Sequence, residues 1–106
     1  MRSLYRCALK RVGNRNLTQM HFVNQASESA QFCWHDDAQK LERWSVVFLL
    51  SPGCTAMRVA LSGSDTVLEY HAVGDGVVFP SPLLHRTMPA PQPEGQALWK
   101  VAFFFE

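Results

Sequence analysis

Two short segments of this chain carry residue types that bind divalent metals: Cys33-Trp34-His35-Asp36-Asp37 and Phe79-Pro80-Ser81-Pro82-Leu83-Leu84-His85-Arg86. If both are extended, His35 and Asp37 project to one face, because side chains repeat every second residue, and His85 can arrive from a neighbouring strand. Two imidazoles and one carboxylate make the donor set of a non-haem Fe(II) facial triad. The inward carboxylate is then Asp37; a slip of one residue would bring Asp36 inside instead. An inward carboxylate beside an imidazole is costly unless compensated, and a divalent metal compensates it. On spacing alone the His-x-Asp pair also fits an exposed polar patch at a strand end.

The elements that must hold these residues read as strands. Beyond Thr18 the pattern is strand, turn, strand, with candidate strands at 18–24, 31–38, 44–50, 56–61, 66–72, 76–79, 83–87 and 97–105. Ser51-Pro52-Gly53, Ser62-Gly63-Ser64-Asp65 and Gly74-Asp75-Gly76 are turn sequences, and the proline-rich stretch 89–95 reads as an irregular loop. Val46 to Leu50 and Phe103 to Phe105 are apolar at consecutive positions, as in strands buried on both faces.

Eight short antiparallel strands suit an all-β double-stranded β-helix, the jelly-roll or cupin-like barrel. An immunoglobulin-like sandwich has a comparable strand count, but it gives no reason for a His-x-Asp on the second strand and a His on the seventh. In a jelly roll those two strands are neighbours in one sheet.

Bulk properties bound the rest. At 106 residues the chain is one domain, 47% hydrophobic, with a formal net charge of +1 that offers no whole-molecule field for nucleic acid or an anionic membrane. Three cysteines form no paired spacing, so a disulfide framework and a Cys-rich zinc site are both disfavoured. No apolar run approaches the roughly 20 residues that span a bilayer. Arg2, Arg6, Lys10, Arg11 and Arg15 all precede the first acidic residue, Glu28, so residues 1–16 read as a basic arm or short amphipathic helix ahead of a domain at 17–106. A cytoplasmic protein is expected, with organellar targeting by the basic start as the alternative.

The run Gly74-Asp75-Gly76-Val77-Val78-Phe79-Pro80-Ser81-Pro82-Leu83-Leu84-His85-Arg86-Thr87-Met88-Pro89 resembles the distal-histidine region of the 2-oxoglutarate and Fe(II)-dependent dioxygenases, particularly the prolyl 4-hydroxylase type. Upstream, Gln19-Met20-His21-Phe22-Val23-Asn24 resembles the family's first core strand, and Phe32-Cys33-Trp34-His35-Asp36-Asp37 its His-x-Asp strand. The segment Trp44 to Ser51 is similar to the strand that follows. The resemblance covers about residues 17 to 106. It implies that His35, Asp37 and His85 bind Fe(II), that 2-oxoglutarate is co-substrate, and that oxidative decarboxylation of it to succinate accompanies hydroxylation of a peptide or protein side chain.

The family places a basic residue at the start of the last core strand to hold the distal carboxylate of 2-oxoglutarate, commonly an Arg two positions after a Gly. Here the stretch is Gly95-Gln96-Ala97-Leu98-Trp99-Lys100, with Ala97 at the Arg position. Lys100 and Arg86 are the replacements considered, with Arg58 a third. Counting by alternation from Ala97 puts Lys100 on the opposite face. The short 60–66 connection also leaves little chain to build a substrate site, and an uncovered apolar sheet would favour a homodimer. Beside the dioxygenase reading stand two alternatives: a reduced, non-catalytic jelly-roll binding or assembly module, and a cupin-type metalloprotein that works without 2-oxoglutarate on a peptide or small-molecule substrate.

Overall fold

The computed structural model describes residues 2–25, 34–36, 42–51, 55–61, 64–88 and 98–106. Among them one helix, α1 (Arg2–Val12), precedes seven strands: β1 (Leu17–Gln25), β2 (Trp44–Leu49), β3 (Thr55–Leu61), β4 (Ser64–Tyr70), β5 (Gly76–Pro80), β6 (His85–Thr87) and β7 (Leu98–Phe105). The fold is all-β in two antiparallel sheets, one in the order β1-β7-β2-β5 and the other β4-β3-β6. Of the expected strand at 31–38 only residues 34–36 are described, and within them His35 forms an isolated antiparallel bridge to His85.

Among the described strands only β3 and β4 form a hairpin; from β2 to β3, β4 to β5, β5 to β6 and β6 to β7 the chain passes from one sheet to the other. The alternation of each strand therefore serves two layers. Val47 and Leu49 of β2, Phe79 of β5, and Leu98 and Ala102 of β7 meet Met57, Val59 and Tyr70 of the facing sheet in the core between the sheets. The intervening residues Val46, Phe48, Val101, Phe103 and Phe105 face outward and pack beneath α1 through Ala8 and Val12. The doubly apolar runs in β2 and β7 are accounted for by a sheet on one side and a helix on the other.

The basic N-terminal segment is thus a docked helix. Leu4, Tyr5, Ala8, Leu9 and Val12 recur at helical spacing and pack on the sheet, with the Tyr5 ring 5.9 Å from that of Phe103. Lys10 and Arg11 occupy the last turn, where positive charge suits the helix dipole. The helix stops where Gly13 (φ 80°) and Asn14 (φ 57°) turn left-handed and both donate their N–H groups to the Leu9 carbonyl, at 2.9 and 3.0 Å. Part of the sheet that the sequence leaves for a partner is covered by α1 itself. Met20, Phe22 and Trp99, beyond its reach on the same face, are exposed. Among the described residues no helix is long and apolar enough to cross a membrane.

Candidate metal centre and cavity

His85 opens β6, directly opposite His35. The His35 N–H donates to the His85 carbonyl at 3.0 Å and the His85 N–H to the His35 carbonyl at 2.8 Å. Residues opposed in this way send their side chains to the same face. The two rings accordingly lie 4.3 Å apart between centroids, inclined by 59°. His85 is 2% exposed and packs against the Phe79 ring at 4.6 Å, whereas His35 is half-buried.

The tautomer of His85 follows from its neighbours. Its Nδ1 lies 3.0 Å from the Leu83 carbonyl oxygen, which can only accept, so Nδ1 carries the proton and Nε2 of the neutral ring carries the lone pair. This carbonyl sits in the turn between β5 and β6. Leu83 N–H donates to the Pro80 carbonyl at 3.1 Å, Ser81 N–H donates to the Arg43 carbonyl at 2.9 Å, and the buried Ser45 and Ser81 hydroxyls hydrogen-bond at 2.8 Å. The Pro-Ser-Pro segment thereby shapes the approach of His85 to the site. An imidazole oriented by a backbone carbonyl on its other nitrogen is the usual condition of a metal-binding histidine, and His85 meets it.

Asp37 lies outside the described residues, and Asp36 is described and exposed. Among the described residues no group of three His, Cys, Asp or Glu side chains comes together. His71 pairs with Glu69 at 3.1 Å on the surface.

A cavity of about 500 Å³ opens between the sheets, with both imidazoles on its wall. Lys100 is on the wall as well, which corrects the parity drawn from Ala97, a residue outside the described set. On β7 it is Leu98, Lys100 and Ala102 that face inward, while exposed Trp99 and helix-covered Val101 face out. Arg86 is not among the residues that line the cavity. His85 and Thr87 flank it and line the cavity, so alternation sends Arg86 to the opposite face of β6, level with Arg58 on β3, whose neighbours Met57 and Val59 point inward.

Lys100 is 2% exposed, and its Nζ has no hydrogen-bond partner among the described residues. It lies 4.8 Å over the ring of Tyr70, whose phenol is also buried without a partner and is held neutral by burial. Burial lowers the Lys100 amine to about 8, because loss of water disfavours the charged form. Glu42, buried on the same wall, has its Oε1 engaged by the Thr18 hydroxyl at 3.2 Å and the Gln19 amide at 3.1 Å. Sequence reasoning missed Glu42: it precedes β2, where strand alternation gives no signal.

No family model and no curated protein sequence matches the chain. Nine chains of solved structures match in fold. A crystal structure of a protein from E. coli (strain K12) aligns with a TM-score of 0.64 at 21% identity, over 87% of this chain and 83% of that one. Hydroxypropylphosphonic acid epoxidase from S. wedmorenis, in complex with fosfomycin, aligns with a TM-score of 0.56 at 10% identity, over 88% of this chain and 56% of that one. At these identities the likeness is one of fold alone.

Proposed function

We propose that the protein is an Fe(II)-dependent oxygenase-like enzyme built on a double-stranded β-helix, with His35, His85 and Asp37 as metal ligands. The observation that carries this reading is the pair of imidazoles brought to 4.3 Å on the wall of an inter-sheet cavity. The strand orders, in which four of the six connections between described strands change sheet, support the jelly-roll part, and the fold likeness to an epoxidase agrees with it. Asp37 joins the set from the sequence alone, where strand alternation two residues after His35 would bring it to the same side.

Bound there, Fe(II) would supply dioxygen activation for hydroxylating a C–H bond of a peptide or protein side chain. The chain's own residues define the surroundings. Leu83 orients His85, Phe79 and Met57 keep the inner wall apolar, and Lys100 is the basic side chain available to the distal carboxylate of 2-oxoglutarate when protonated. The second reading is a metalloprotein that does without 2-oxoglutarate, favoured by the outward position of Arg86.

Anaerobic Fe(II) titration of the wild type, His35→Ala and His85→Ala tests the metal centre: affinity falls in both variants, and equal affinity in all three removes the proposal. Succinate formation from 2-oxoglutarate by the iron-loaded protein separates the two readings of the co-substrate.

A further inference from the structure

Lys100 stands between Val23 and Leu49 of the flanking strands and over the face of Tyr70. These neighbours offer its ammonium no hydrogen-bond acceptor, yet the side chain is not sealed in the core but reaches a cavity of about 500 Å³. Burial disfavours the charged form of an amine, and a neutral nitrogen suits these apolar walls better. Among the described residues the charged and titratable groups facing the same cavity are Glu42, His21, His35 and His85, and none of them is within hydrogen-bond reach of Nζ.

We propose that Lys100 is a carbonyl-binding amine, which condenses reversibly with a small aldehyde or ketone entering the cavity to form an imine. The neutral amine attacks the carbonyl carbon, forming a C–N bond, and the carbonyl oxygen takes up the proton released from nitrogen. Loss of that hydroxyl with the remaining N–H proton, as one water molecule, leaves the C=N bond. Amine and carbonyl thus give imine and water, with no change in oxidation state. The lowering of the amine to about 8 places a useful fraction of it in the nucleophilic form near neutral pH. This chemistry is independent of the metal reading. It uses the neutral form of a side chain whose protonated form would hold a carboxylate.

The chain contains three lysines, Lys10, Lys40 and Lys100, so the test can be read site by site. Full-length protein, treated with chelator, is incubated near pH 7.5 with butyraldehyde and cyanoborohydride, which traps any imine as a secondary amine. Modification is then mapped by peptide mass spectrometry. In the folded protein Lys100 is expected to react at least about ten-fold faster than exposed Lys10, as its larger neutral fraction dictates, and to lose that advantage in urea. Lys100→Arg gives no adduct at this position. Modification of Lys100 no faster than that of Lys10 in the folded state overturns the proposal. Because the labelling is done with chelator present and needs no metal, its failure is distinguishable from failure of the metal centre.

Discussion

His35 and His85 are aligned by their main chains: two backbone hydrogen bonds of 3.0 and 2.8 Å hold the residues opposite one another, and the imidazoles meet as a consequence. Removing the half-buried His35 ring leaves both of those bonds in place. His35→Ala is therefore expected to cost no more than about 1 kcal/mol, while His85→Ala, which empties a buried position beside Phe79, costs about 2–3 kcal/mol. Urea denaturation of the two variants measures this difference and shows that His35→Ala is folded when its metal affinity is read.

Lys100 has a distinct signature in stability against pH. Its amine is lowered to about 8 in the native chain from an ordinary 10.5. Below pH 8 native and unfolded chains are both protonated, and the native chain bears the full cost of the buried ammonium. Between about 8 and 10.5 the unfolded chain holds a proton that the native chain has released, so Lys100 adds stability as pH rises, by about 3 kcal/mol in all. Lys100→Met is expected to be more stable than the wild type at pH 7, by about 1–3 kcal/mol, with the difference closing toward pH 10. Urea midpoints of both proteins across this range check the sign; a constant difference counts against the desolvated amine.

The Ser45–Ser81 hydroxyl pair anchors the turn that presents Leu83 to His85. Truncating either serine leaves the other hydroxyl buried without its partner, at about 1–2 kcal/mol, whereas the double alanine variant loses less than the sum. A double-mutant cycle by urea denaturation reads the coupling. Nitrogen-15 shifts of His85 report whether its Nδ1–H form persists when the turn is loosened; the expected change is a rise in the other tautomer.

Gly76 is required by close approach rather than by its backbone angles. A Cβ built there would lie 2.7 Å from the ring atoms Cδ1 and Cε1 of Phe48, which is itself packed in the layer beneath α1. Gly76→Ala is expected to destabilise by about 1–3 kcal/mol, and the cost falls when Phe48 is shortened to Leu in the same chain. Thermal or urea unfolding of the single and double variants measures both effects.

Strand alternation made most of the two-sheet arrangement legible. The consecutive apolar residues of β2 and β7 announced burial on two sides, and turn residues such as Gly74-Asp75-Gly76 marked where one strand ends and the next begins. The amphipathic spacing from Leu4 to Val12 permitted a helix, but its docking depends on the outward faces of Phe103 and Phe105, strands away in the sequence. Counting from Ala97 assigned Lys100 the wrong side, because alternation gives relative and not absolute facing until one residue of the strand is placed. The phase is set by Leu98 and Ala102 in the core. Arg86 shows the same rule in reverse: once His85 faces the cavity, its neighbour cannot.

By itself the sequence determined the all-β character, the punctuation of the strands, and the two histidines on which a metal reading rests, because each of these depends on local spacing and residue type. The tertiary structure alone decided that α1 covers one face of the larger sheet, that Lys100 and Glu42 share a cavity wall, and that Arg86 does not. Those outcomes depend on pairings between residues far apart in the chain, and on burial, which sets the phase of each strand and strips water from Lys100.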